Sequence, residues 1–192
     1  MRLQSALLRG AVALSITLAG GCALTVGMAN PRPNLDLPQS QQSLALNLDS
    51  NIHDEFSVPS QNGVIGADFK GWRSSLENGF RSGFAESFKA AADKADLTVA
   101  IVEAEPSFAP TSVAVNQYGS TIGAASIVAQ IRYKARLLDA SGNVVGRSAG
   151  TVRAKTSITN RFEATNTVAN AIETLYEKLA EDLFHGPTPA TK

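Results

Sequence analysis

The side chains able to do chemistry fall in a few short stretches. His53, Asp54 and Glu55 form the one compact polar trio. Such a trio could contribute ligands to a metal. Contiguous residues point different ways, however, so another ligand from elsewhere would be required. The alternative is a solvated strand end. Glu103 and Glu105 are two apart and share a face of any strand they occupy. They could work as paired carboxylates, or close a strand as two solvated acids. His185, the other histidine, falls at the presumed C-terminus of a helix, where a cation suits the dipole. The chain has no G-x-S-x-G, H-E-x-x-H, P-loop or G-x-G-x-x-G pattern. No catalytic residue, metal site or cofactor is expected. An unrecognised enzymatic site would centre on His53 and Glu103.

A run of cations stands out more. Arg132, Lys134, Arg136, Arg147, Arg153 and Lys155 are six cations against Asp139 alone within residues 126–155, a local charge of +5. Residues 127–137 alternate strictly, as a half-buried strand does. Asp139-Ala140-Ser141-Gly142-Asn143 reads as a hairpin turn, with Gly142 available for positive φ. Residues 144–156 form the return strand. With that turn Arg136 faces Arg147 across the ladder, and like charges directly opposite are destabilising. Residues 156–185 hold two cations against five acids, or −3. The expectation is a basic sheet face opposite an acidic helix. It would dock anionic lipid head groups, lipopolysaccharide phosphates or an acidic partner. The plainer alternative is a solvated face whose cations resist edge pairing.

The only thiol is Cys22. Arg2 and Arg9 flank an N-terminal stretch without acids, and Gly10 to Ala19 is apolar except for Ser15 and Thr17. A bilayer-spanning helix needs about 20 apolar residues. This run is shorter and matches the core of a secretory signal. Leu18-Ala19-Gly20-Gly21-Cys22 follows, with small residues directly before the lone sulfur. Here the chain resembles bacterial lipoproteins, whose lipobox ends in small residues and Cys. The family more often has Leu where Ala19 stands, and Leu18 lies one place early. The resemblance covers the first 22 residues. It implies cleavage before Cys22, a diacylglyceryl thioether on its sulfur and an acylated amine. Two or more acyl chains give stable anchoring, at about 0.8 kcal/mol per buried methylene. Ala23 rather than Asp after the cysteine implies, on the enterobacterial pattern, export to the outer membrane. Residues 1–21 would leave as a signal peptide. They contain two of the 17 cations and none of the 17 acids, so the mature chain carries −2.

The elements needed to position these groups are legible as periodicity. Residues 22–42, with Pro31, Pro33 and Pro38, read as the lipidated cysteine and a flexible tether. The domain is expected over 43–185. Leu44, Leu46 and Leu48 alternate as a strand, and residues 53–71 read as loop. Trp72, Leu76, Phe80, Phe84 and Phe88 recur every fourth residue and form one helical stripe. This row suits a core better than a lipid site. Asp68 is the expected cap. Residues 97–102 are a buried strand, and 106–124 a long loop with Pro106 and Pro110 that has room for a short strand at Ser112–Val115. Val168, Ile172, Leu175, Leu179 and Leu183 mark a second helix, and residues 186–192 a loose tail. The expected class is α/β (α+β): a two-layer sandwich, an about four-stranded mixed sheet with two helices on one face. The 192-residue length suits one domain. Zero formal net charge argues against a dedicated nucleic-acid binder.

This layout looks like small outer-membrane lipoproteins, such as the lipopolysaccharide-assembly lipoprotein and YajG-like lipoproteins, over roughly residues 43–184. No site residue is carried across. The resemblance implies a membrane-anchored, non-catalytic envelope lipoprotein with its domain in the periplasm, binding a protein or lipid partner. The alternatives are a lipid or lipopolysaccharide transport accessory using the basic sheet face, and an enzyme.

Overall fold

The alternation of residues 127–137 becomes the middle of a long antiparallel hairpin. The computed structural model describes residues 23–60, 65–91, 94–115, 121–158 and 163–185; for 113–115 and 121–125 it describes the backbone alone. Strands β6 (Leu97–Val115) and β7 (Thr121–Asp139) pair along their length, and β8 (Val144–Arg153) returns along β7. At the β7–β8 turn Gly142 has φ 85°, and the Asp139 carboxylate accepts the N–H groups of Ser141 and Asn143 at 2.8 and 2.9 Å. These bonds, foremost those from Asn143, hold the Asp139 carboxyl below its ordinary value.

The remaining elements are β1 (Leu24–Val26), β2 (Ser43–Leu48), β3 (Glu55–Val58), β4 (Ala67–Lys70), helix α1 (Trp72–Phe84), β5 (Lys89–Ala90) and helix α2 (Ala164–Phe184). Among the described residues the fold is α+β with two helices. Its sheets number two rather than one: five strands in the order β5-β2-β6-β7-β8, and three in the order β1-β4-β3. On β7 the side chains of Ile131, Tyr133, Ala135 and Leu137 are buried, while Arg132, Lys134 and Arg136 are exposed. One face of the large sheet therefore meets the helices and the other is open.

Three expectations about stretches read as loop or tether are corrected. First, residues 53–71 are not all loop: β3 and β4 pair antiparallel there, with Phe56 stacked on Phe69 at 5.0 Å. Phe69 in turn stacks on Phe108 of β6. Second, 106–124 is not a long loop. Strand β6 runs straight through Pro106 and Pro110 because β2 stops opposite Ile101. Beyond that point, among the described residues, the outer edge of β6 is met by one bridge from Ile65, whose N–H donates to the Phe108 carbonyl. Pro106 and Pro110 share the parity of Phe108, so their missing N–H groups fall on this edge. An edge tolerates proline where a central strand does not.

Third, most of the expected tether is part of the domain. Strand β1 pairs in parallel with β4, and Leu24, Val26 and Ala29 are buried. Pro31 and Pro33 are buried too, against a notch in α1. A Cβ built on Gly79 would lie 2.8 Å from the Tyr176 ring and 2.9 Å from the Pro31 ring, and one on Gly83 3.2 Å from Pro33. The glycines bring α1 close to α2 and to this segment. The segment's backbone is satisfied by α-helical side chains: Ser75 Oγ accepts from Ala29 N at 2.8 Å, and Ser82 Oγ donates to Pro31 O at 2.8 Å. An extended proline-rich strip needs no internal hydrogen bonds, so it docks by such single contacts.

Helix α1 is not capped by Asp68, which sits on β4 and accepts from Ser57 Oγ at 2.6 Å. Asp54 fills that role from a neighbouring turn: its carboxylate accepts from Ser74 N, and its carbonyl from Trp72 N, both at 2.9 Å. Helix α1 ends at Phe84, yet Phe88 still packs on Phe84 and Phe184. Helix α2 buries the predicted row from Val168 to Leu183. Tyr176 beside that row is fully buried, its hydroxyl donating to the Leu76 carbonyl at 2.7 Å. Burial pushes this phenol far above its ordinary pKa.

Candidate functional site

Pairing register decides what the open face of the large sheet carries. Reading across β6, β7 and β8, its rows are Ala100–Arg136–Arg147, Glu103–Lys134–Ala149, Glu105–Arg132–Thr151 and Ser107–Gln130–Arg153. The two middle rows each match a cation with an acid. Lys134 Nζ lies 2.5 Å from Glu103 Oε2, and Arg132 Nη2 bonds Glu105. Arg132 Nε is also 3.0 Å from Glu103 Oε1. Its N–H is not aimed at that oxygen, which is buried without a hydrogen-bond donor among the described residues, so the contact is Coulombic. The bond from Lys134 holds the Glu103 carboxyl below its ordinary value, and Glu105 raises Arg132.

The expected pair of carboxylates is thus an ion-paired ladder, and the expected basic face is not uniformly basic. Lys155 leaves it altogether and pairs with Glu177 on α2 at 2.7 Å. Arg136 does face Arg147, as the turn implied. The outer rows contain no acid. Arg136, Arg147 and Arg153 are exposed and form no ion pair among the described residues.

The His53-Asp54-Glu55 trio does not converge. Asp54 serves α1, Glu55 opposes Lys70 on the small sheet, and His53 stands alone at a cleft. That cleft, about 570 Å³, lies between β3 and the open face and includes Phe56, Glu105, Gln130 and Arg132. The described residues contain no group of three or more potential metal ligands. His185 Nε2 lies 2.9 Å from the Asp36 carbonyl, tying the end of α2 to the N-terminal segment.

The aromatic row of α1 divides. Trp72, Leu76 and Phe84 are in the core, with Trp72 Nε1 donating to the Ala104 carbonyl at 3.1 Å. Phe80 and Phe88 are only partly buried and, with Phe84, line a groove of about 450 Å³ beside β2 that also includes Arg81 and Lys89. Sequence reasoning missed this groove. A four-residue repeat drifts by about 40° per step on a helix, so the row is too broad to lie wholly in the core, and Phe88 falls beyond the end of α1. Cys22 and the signal-like segment lie outside the described residues. No described helix is long and apolar enough to cross a membrane.

No protein-family model matches the sequence, and no curated protein matches it. Among solved structures the chain is partly similar to a Xanthomonas campestris protein of family DUF330, at 21% identity, TM-score 0.42, over 84% of this chain and 90% of that one. It is also similar to a minor lipoprotein from Acinetobacter baumannii (12% identity, TM-score 0.41, 75% and 91%). A third likeness is to uncharacterized lipoprotein B from Nitrosomonas europaea (12% identity, TM-score 0.43, 78% and 88%).

Proposed function

We propose that the chain is a bacterial envelope lipoprotein, held to the outer membrane by acyl groups on Cys22, whose periplasmic domain binds a partner without catalysis. The observation that carries this is Leu18-Ala19-Gly20-Gly21-Cys22 behind a short apolar run, with the chain's only cysteine at its end. The fold sharpens it. Strand β1 begins at Leu24, two residues after Cys22, and Leu24 N donates to the Gly66 carbonyl at 2.8 Å. Two residues reach at most about 7 Å. The domain is therefore held directly against the bilayer instead of floating on a tether. Its small sheet lies next to the lipid, and its partner must be reached at that distance.

The test is the mass of the N-terminal peptide from membranes of cells expressing the intact chain. A peptide beginning at Cys22 and carrying diacylglyceryl and acyl groups is expected. Cys22→Ala should leave the chain unacylated and unable to fractionate with membranes. A mature protein beginning elsewhere, or a Cys22→Ala chain still sedimenting with the outer membrane, would refute the reading.

A further inference from the structure

The large sheet ends in a strand built to accept another. Strand β8 is its last member, and among the described residues nothing pairs with its outer side. Ala154 N donates to Ala129 O at 2.8 Å, which sets the parity of the ladder. Val152, Gly150 and Ser148 turn their N–H and C=O groups toward β7. Arg147, Ala149, Thr151 and Arg153 turn theirs outward. All four are exposed. Two are the unmatched arginines of β8, and Arg136 stands across from Arg147 in the same acid-free row. Exposed edges are usually blunted by charged side chains, proline, bulges or inward-pointing charge; the charge on β8 is cationic only, which repels a like edge but not an acidic one. Residues 145–153 contain no proline and pair with β7 without a register shift from Gly146 to Arg153.

We infer that β8 takes an extended acidic segment of a partner protein as a sixth strand, with main-chain bonds to Arg147–Arg153 and carboxylates against Arg147, Arg136 and Arg153. The inference rests on the partner-binding reading above and names the partner's chemistry. A second copy of this chain fits poorly, because antiparallel β8 strands would gather the unmatched arginines of both copies on one seam. A flat anionic membrane fits poorly too. It would meet Glu105, 60% exposed on the same face, whereas a strand along the edge meets only the acid-free positions of β8. Main-chain pairing supplies affinity in such additions and side chains supply specificity.

The experiment uses the intact chain, acylated and as Cys22→Ser. The probe is a blocked ten-residue peptide of alternating Glu and Val, with a Lys-for-Glu peptide as control. The acidic peptide should bind both forms and slow hydrogen exchange at the amides of Arg147, Ala149, Thr151 and Arg153. Thr151→Pro, whose lost N–H lies outside the β7 ladder, should abolish binding while the fold, checked by circular dichroism, persists. Arg147→Glu with Arg153→Glu should weaken binding by about tenfold or more and favour the Lys peptide. Equal binding by Thr151→Pro, or no protection on the edge, overturns the inference. So does binding of phosphatidylglycerol vesicles by the Cys22→Ser form with no response to the peptide. So does a dimer dissolved by Thr151→Pro. Because Cys22→Ser is tested in parallel, failure here is separate from failure of the lipid anchor.

Discussion

Substituting Gly79 by alanine should destabilise the protein, although alanine is the better helix former. Gly79 lies in the middle of α1. In an exposed helix Gly→Ala adds about 1 kcal/mol of stability. Here the new Cβ would fall 2.8 Å from Tyr176 Cε2, 2.9 Å from Ile172 Cγ2 and 2.9 Å from Pro31 Cγ. None of the three yields easily. The Tyr176 ring is pinned by its hydroxyl on Leu76, and the Pro31 carbonyl is bonded by Ser82. Overpacking of this kind costs about 1–3 kcal/mol, and more where all neighbours are stiff. With three stiff neighbours the cost falls in the upper part of that range, and subtracting the helix gain leaves a net loss of about 1–2 kcal/mol. For a chain of this size that lowers Tm by about 2–8 °C. Thermal unfolding of Gly79→Ala, Pro31→Ala and the double variant gives the measure. The cost should shrink in the Pro31→Ala background, because one of three clashes is removed, and the two sites are close enough to couple. Hydrogen exchange at the Ala29 and Arg32 amides, which are bonded to Ser75 Oγ and Glu173 Oε1, should quicken in Gly79→Ala. A Tm that rises, with the Ala29 and Arg32 amides exchanging equally fast in both proteins, would refute the docked N-terminal segment and the α1–α2 approach together.

Tyr176→Phe should cost about 1–2 kcal/mol in urea unfolding, because the Leu76 carbonyl is left buried without its donor. Native Tyr176 should stay un-ionised in an alkaline titration that ionises exposed tyrosines. Gly142→Ala should cost about 1 kcal/mol from backbone strain alone, since φ is 85° and nothing lies within 4 Å, while Gly142→Asn should be tolerated. Glu103 and Asp139 both have lowered pKa values in the fold, against ordinary values of 4.5 and 3.8. Their contribution is present above those values and is lost as pH falls through the lower folded ones. Tm should therefore be flat through neutral pH and fall in the acid range below about 4.5, and Asp139→Asn should make that fall shallower.

The helices and the β7–β8 hairpin were legible because each repeats one rule over many residues. The row from Val168 to Leu183 and the alternation from Ile127 to Leu137 survive any local exception. The Arg136–Arg147 pairing was legible for the same reason, since a short turn sets register. The candidate site was legible only in part. Six cations could be counted, but whether an acid lies beside each depends on β6, whose register to β7 shifts at Ile101/Glu103. That shift puts Glu103 and Glu105, both counted as separate candidates, onto Lys134 and Arg132. The docked segment did leave a sign that was not used. Pro31, Pro33, Leu35 and Leu37 alternate with Arg32, Asn34, Asp36 and Pro38, and burial follows that alternation. Proline content masked the period.

The amino-acid sequence by itself determined the helix stripes, the hairpin turn, the charge counts and the lone cysteine behind an apolar leader. These depend on neighbours within a few turns or strand steps. Tertiary structure alone decided that the proline strip joins the core, that β3 and β4 build a second sheet, and that three arginines are left without acids. Each of these outcomes depends on which surfaces meet across long chain separations. A proline ring is buried only because a glycine far along the chain leaves room for it. A cation in the middle of the open sheet face is neutralised only if strand register brings an acid to its row.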